Sequence, residues 1–337
     1  MKSLAAKDIT RWTSASRASV LAIAACLPLL ALGPVLFSAN MVDKLTTLFI
    51  YIILAATWNA LAGYGGLVSI GQQGFFGLGA YAAVRLAALG LPVYASLPMG
   101  AVLVAGLAWV ISYFMLKLRD GEFGIGMWVL AELFHLLVNL DPLVQGETGT
   151  SLIALNAFDI ASRRADNYWF ALAAVVGVLA ILYALLKSSM GLAVQAIRDN
   201  EEAAASVGVR VASAKRLIFL LACFGAALAG AVWLASATTF QPKAYFSVQW
   251  TAYMIFMVLV GGLGSFEGAI LGAIIFFLLE AWFGATGVWY LIGLGAAALL
   301  FSLFLPKGLW GLVERRLDLR LLPLGYRVDL PTKIENI

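Results

Sequence analysis

Charge is scarce in this chain. Asp, Glu, Lys and Arg make up 12% of its 337 residues, against roughly 25% in soluble domains, so it cannot cover an ordinary water-facing surface. Histidine occurs once, at His135, which leaves no Ser/His/Asp arrangement and no histidine-rich metal centre. Cysteine occurs twice, Cys26 and Cys223, each inside an apolar run, so neither a disulfide framework nor a thiolate metal site is implied. There is no G-x-x-x-x-G-K-[ST] stretch to cradle nucleotide phosphates. The chain reads as no enzyme and needs no cofactor of its own. Any energy it uses must come from a partner subunit or an ion gradient.

What it has is apolar length. Hydrophobic residues make up 63% of the chain, its mean hydropathy is +0.95, and a helix needs about 20 apolar residues to cross a bilayer. The runs at 18–37, 45–62, 74–90, 97–116, 123–140, 168–186, 217–237, 249–263, 268–284 and 288–305 predict spans. The third, eighth and ninth are short or interrupted by glycine. The expected fold is an all-α polytopic membrane protein with about 8–10 transmembrane helices, glycine-rich breaks and one sizeable polar loop.

Basic residues orient the spans. With the N-terminus inside, 17 of the 22 Lys and Arg fall on the inner side, four outside (Lys44, Arg163, Arg164, Lys243) and one, Arg85, within a span near its outer end. That asymmetry satisfies the positive-inside rule. It explains the net charge of +4 without nucleic acid. The organisation is then a cytoplasmic segment 1–17, a transmembrane domain 18–305 containing a cytoplasmic loop 187–216, and a cytoplasmic tail 306–337.

Two glycine-rich interruptions stand out. One runs from Gly63 to Tyr81 and includes Ser69, Gln72 and Gln73; the other runs from Val260 to Ala269 and includes Ser265. Gly66-Leu67-x-Ser69 aligns with Gly262-Leu263-x-Ser265, and matched breaks in two halves of a transporter point to an internal repeat. Close helix packing also calls for glycine. Polar groups at membrane depth need protein or water partners, so Ser69, Gln72, Gln73 and Ser265 are candidates for a substrate path. Glu132 and His135, three residues apart on one helix face, are further candidates, or else bond to each other. Two ligands alone make a poor metal site. Glu280 lies in a span with no partner evident.

Within 187–216, Glu202-Ala203-Ala204 is followed by Gly208 in the spacing E-A-A-x-x-x-G. Alanine gives a stable helix that another protein can approach closely, and glycine ends it. This loop resembles the cytoplasmic "EAA" loop of ABC permease subunits. The stretch from Asn59 through Gly71 to Tyr81, the loop from Ala196 to Val209, and the closing Pro306-Lys307-Gly308-Leu309-Trp310-Gly311 together resemble the LivM-type permeases of branched-chain amino acid ABC transporters, over about residues 45–316.

The resemblance implies a multi-pass subunit of a bacterial inner membrane. Its partners would be a LivH-like second permease, two ABC ATPase subunits that bind ATP-Mg, and a periplasmic substrate-binding protein. The cargo would be branched-chain or related amino acids, or a similar small polar solute such as urea. Ile197, Arg198, Glu201, Glu202, Ala204 and Gly208 would carry the contact to the ATPase. The external Gln145-Gly146-Glu147-Thr148-Gly149-Thr150-Ser151 matches the family's T-G-G-x-x-G only in part and carries a carboxylate, Glu147, which leaves the substrate open. An ion-coupled secondary transporter or channel is the alternative, with Glu267 beside the second break as its ion-site carboxylate.

Overall fold

A computed structural model describes residues 9–10, 14–317, 321–322 and 327–328. Most of the terminal segment 1–17, and most of 306–337 beyond residue 317, therefore lie outside the described residues. Fifteen α-helices follow one another among the described residues. These are α1 (Ser14–Ala31), α2 (Gly33–Leu36), α3 (Ala39–Asn59), α4 (Gln72–Ala88), α5 (Val93–Met115), α6 (Asp120–Asn139) and α7 (Ile160–Lys187). After them come α8 (Ser189–Asp199), α9 (Glu201–Ser206), α10 (Val211–Ala237), α11 (Pro242–Tyr245), α12 (Gln249–Gly261), α13 (Phe266–Phe283), α14 (Val288–Phe304) and α15 (Gly308–Leu317). The chain is an all-α polytopic membrane protein. Seven helical stretches are long and apolar enough to cross a membrane, and an eighth span arises if α14 and α15, bent by 41°, count as one.

Several helix ends differ from those expected from hydropathy. The run 18–37 is divided: α1 ends at Ala31 and a one-turn α2 with Pro34 in its first turn follows. The helix expected at 168 begins at Ile160, capped by the Asp159 carboxylate, which accepts from the Ala161 N–H at 3.1 Å. The helix expected at 217 begins at Val211, so the polar loop ends six residues sooner. Hydropathy misses that turn because Lys215 and Arg216 are charged. In the fold, Glu201 accepts from Lys215 at 2.6 Å, and the Arg216 guanidinium lies 4.0 Å over the Tyr113 ring.

The core is built on small residues. Lipid tails are as apolar as leucine, so helices in a membrane associate through close packing rather than through exclusion of water. A Cβ on Gly79 of α4 would lie 2.0 Å from the Ala227 carbonyl oxygen, and one on Gly230 of α10 1.9 Å from that of Phe76. Those glycines let the two backbones touch, with α3 and α5 packed beside them. Helix α4 is buried from Gln72 to Ala80.

Both glycine-rich breaks are turns between neighbouring helices. Helix α3 ends in a π-helical turn, Ala60–Tyr64, before the chain reverses into α4. Residues 262–265 likewise join α12 to α13. Both turns lie at the end of the bundle that carries residues 187–210, called here the loop end. At the far end, strands β2 (Thr150–Ser151) and β3 (Thr239–Phe240) pair antiparallel and tie the α6–α7 connection to the chain after α10.

Candidate functional site

The loop end is assembled from three segments distant in sequence. Helix α8 is capped by Ser188, whose hydroxyl accepts from the Gly191 N–H. It buries Val194 and Ile197 and exposes Leu192. The chain leaves helical geometry at Asn200, and the Asn200 Oδ1 accepts from Ala203 N–H at 2.9 Å to start α9. This is ordinary N-capping by asparagine. Ala204 is buried, Glu202 is exposed, and Val207 is 80% exposed at the tip. Gly208 closes the element at φ +89°, a left-handed conformation that favours glycine.

Arg198 points inward. Its Nη1 donates to the Gly63 carbonyl at 2.8 Å, while Nε and Nη2 donate to Asp199 Oδ1 at 2.9 and 2.8 Å. Gly63 in turn touches the second turn: a Cβ there would lie 2.5 Å from the Gly264 nitrogen. Asn59, one π turn earlier, clamps that same turn. Its Oδ1 accepts from Gly264 N–H and its Nδ2 donates to the Ser265 carbonyl, both at 2.8 Å. The loop and both glycine-rich turns thus form one hydrogen-bonded junction. Beside it opens a cavity of about 570 Å³, lined by residues 65–68, 118–120 and 197–202 among others.

The path candidates separate into different roles. Ser69 is fully buried and serves its own turn, with its Oγ accepting from Gly71 N–H and its carbonyl accepting from the Trp58 indole at 3.0 Å. Ser265 caps α13 by accepting from Gly268 N–H at 2.9 Å. Gln73 accepts a hydrogen bond from the Thr251 hydroxyl. Gln72 differs: it is 1% exposed, and neither polar atom of its amide has a hydrogen-bond partner among the described residues. Glu267 lies in the first turn of α13 and accepts from the Leu322 N–H at 2.9 Å.

Glu132 and His135 meet at the far end. His135 Nδ1 lies 3.2 Å from Glu132 Oε1, and its ring stacks on Phe246. On its other side Nε2 is 2.8 Å from Glu147 Oε1, too poorly aligned for a hydrogen bond. Glu147 also accepts from Asn139 Nδ2 at 2.6 Å and from Lys243 N–H at 2.9 Å. Burial pushes the Glu147 carboxyl up, but the Asn139 amide, His135 and the Lys243 N–H outweigh it and hold the group below its ordinary value. Nearby, Asp141 accepts from the Tyr81 hydroxyl at 2.6 Å and lies 3.8 Å from Arg85. The intramembrane Arg85 therefore has a partner at the far end.

Glu280 also has a partner. The Tyr51 hydroxyl donates to its Oε2 at 2.6 Å. Asn59, Asn200 and Tyr51 were not singled out from sequence. Asn200 alone had a local signal, an Asn three residues before Ala203 at the head of an alanine run. The partners of Asn59 and Tyr51 lie more than 200 residues away.

The family model for the branched-chain amino acid transport system permease component matches residues 40–306. Among curated proteins, the chain is 27% identical to the high-affinity branched-chain amino acid transport system permease protein LivM of Escherichia coli K12, covering 88% of this chain and 76% of that one. It is 26% identical to the LivM protein of Salmonella typhimurium, covering 85% and 74%. Among solved structures, a chain from an inward-facing structure assigned to a metal-chelate type ABC transporter superposes with a TM-score of 0.50 at 16% identity. That alignment covers 89% of this chain and 99% of the other, and it supports the shared fold.

Proposed function

Because the chain belongs to the permease components of branched-chain amino acid ABC transporters, we propose that it forms one half of an importer's translocation path and that residues 189–208 receive the ATPase. The cargo is a branched-chain or related amino acid, moved across a bacterial inner membrane with both termini of this chain in the cytoplasm. A second, LivH-like permease completes the membrane unit. Two ATPase subunits bind and hydrolyse ATP-Mg, and a periplasmic binding protein delivers the substrate. The chain itself is a transport subunit, not an enzyme.

One observation carries the coupling role: the Arg198 guanidinium links α8 directly to the Gly63 carbonyl, where the two glycine-rich turns meet. A push on α8 and α9 is therefore delivered to the ends of α3, α12 and α13 together. Such rigid-element displacement is a known way to switch packed helices between two arrangements. Exposed Leu192 and Val207 and the exposed Glu202 supply the face for the ATPase. The ion-coupled alternative falls away with the family membership.

The test is reconstitution of the chain with its co-purifying subunits in proteoliposomes. ATP-driven leucine uptake that survives a gradient-collapsing ionophore, and that is lost in Glu202→Ala/Gly208→Val, is the expected result. Unchanged coupled uptake in that double variant would overturn the assignment of residues 189–208.

A further inference from the structure

A second cavity, of about 450 Å³, lies in the far half of the bundle, between α3, α10, α12 and α13. Its lining includes Tyr51, Trp233, Trp250 and Tyr253 together with Glu280 and Lys243. No Lys or Arg among the described residues lies within ion-pair distance of Glu280, and no carboxylate within that distance of the Lys243 ammonium. A carboxylate at membrane depth with a hydroxyl donor but no cation beside it is costly and ordinarily marks a substrate or ion route.

The aromatic walls are held in place by their own edges. The Trp250 indole donates to the Ala244 carbonyl at 3.0 Å, and its ring meets Trp233 at 4.9 Å between centroids. Tyr51 and Tyr253 pack on the same Phe276 ring, at 5.0 and 4.6 Å. Gln249 donates to the Tyr253 hydroxyl. Aromatic rings beside a carboxylate suit an ammonium group, which they attract through the ring quadrupole. Lys243 is placed by the contact of its backbone N–H with Glu147. Glu147 therefore positions a residue of the cavity although it does not line it.

We propose that this cavity binds a free α-amino acid as a zwitterion: Glu280 and the aromatic walls take the ammonium, Lys243 takes the carboxylate, and an apolar side chain lies against the tryptophans. The site serves as a station on the translocation path, and the proposal rests on the importer reading above. It explains why a carboxylate without a cation sits in a span, and why the external loop carries Glu147.

The test uses the complete transporter complex in nanodiscs, carrying Cys26→Ser and a reporter Ser247→Cys on the cavity wall. The reporter's rate of reaction with a thiol reagent is measured with leucine, with 4-methylpentanoate (no ammonium) and with 3-methylbutylamine (no carboxylate). Leucine slows labelling, and each analogue protects less well. Glu280→Gln raises the half-protecting leucine concentration by about tenfold, as expected for loss of a hydrogen-bonded charge, and leaves protection by 4-methylpentanoate unchanged. Lys243→Met does the reverse, sparing 3-methylbutylamine. Glu147→Gln, which acts through Lys243, weakens protection by leucine and 4-methylpentanoate and spares 3-methylbutylamine. Equal loss of protection by all three ligands in Glu280→Gln would overturn the proposal, as would no protection by leucine in a complex whose ATPase still drives uptake. Absence of ATP-driven uptake in the unmodified complex would instead defeat the importer reading.

Discussion

Arg198 Nη1 donates to the Gly63 carbonyl at 2.8 Å, across 135 residues of sequence. The bond spans from α8, the element proposed above to meet the ATPase, to the end of a transmembrane helix. A charged hydrogen bond of this kind contributes about 1.5–3 kcal/mol. Arg198→Ala is expected to leave the chain folded, because Ile197 and Val194 still anchor α8, but to loosen transmission. ATP hydrolysis by the assembled complex should persist while leucine uptake per ATP falls by about tenfold. Paired hydrolysis and uptake assays on one preparation check this; a parallel fall in both would mean that Arg198 serves docking instead.

Gly208 separates docking from folding. Its φ of +89° strains any L side chain, yet no atom lies within 4 Å of where a Cβ would be. Gly208→Val therefore costs about 1–2 kcal/mol of local strain without a clash. The expected outcome is a normally inserted chain whose ATPase partner no longer co-purifies at wild-type yield. Val207→Asp, which changes only the exposed tip, should lower that yield too, with no change in melting temperature.

Asn59 answers two backbone groups of the second turn, Gly264 N–H and Ser265 C=O. Asn59→Leu keeps the branched outline but leaves both unpaired, at about 1–3 kcal/mol each. The detergent-solubilised chain should melt several degrees lower. Asn59→Asp keeps the acceptor for Gly264 N–H but turns a buried carboxylate oxygen toward the Ser265 carbonyl, so it should melt at least as low.

These contacts mark the limit of what the sequence discloses. Apolar runs located every main transmembrane helix because lipid imposes its length on the chain. The helix ends were less legible, since Lys215 and Arg216 look like loop until Glu201 and Tyr113 are seen beside them. Glu132 with His135 was readable from i,i+3 spacing, and Glu147 as an unexpected carboxylate, but their meeting depends on how the α6–α7 connection folds back. Tyr51 and Glu280, 229 residues apart, carry no joint signal in one sequence. The glycines were legible as interruptions. Their use as a contact between two turns was not.

Acid should weaken the far end in a defined direction. The Tyr81 hydroxyl and the Leu143 N–H, opposed by burial and assisted by Arg85, hold the Asp141 carboxyl below its ordinary value. The folded chain thus binds this proton more weakly than the unfolded chain does. The resulting stabilisation is present in full above the ordinary aspartate value of roughly 4 and is lost as pH falls through the lower folded value. Glu147 acts in the same sense. Melting temperature should therefore drop on acidification below about pH 4, and the drop should be smaller in Asp141→Asn.

Two adjacent glutamines supply the sharpest contrast. Gln72 and Gln73 are 1% and 2% exposed at the start of α4. Gln73 is engaged on two sides, since its backbone N–H donates to Thr251 Oγ1 at 3.3 Å and its Oε1 accepts from the same hydroxyl. Neither side-chain amide atom of Gln72 has a hydrogen-bond partner among the described residues. A buried amide without hydrogen bonds costs about 1–3 kcal/mol, and a leucine of similar volume avoids that cost. Gln72→Leu is thus expected to raise the melting temperature, and Gln73→Leu, which removes the acceptor of the Thr251 hydroxyl proton, to lower it. If Gln72 is retained because cargo passes it at the loop end of the path, the stabilised Gln72→Leu protein will also import leucine more slowly at unchanged ATPase activity. A Gln72→Leu protein that is more stable and equally active would remove Gln72 from the path and leave α4 there as a packing element alone.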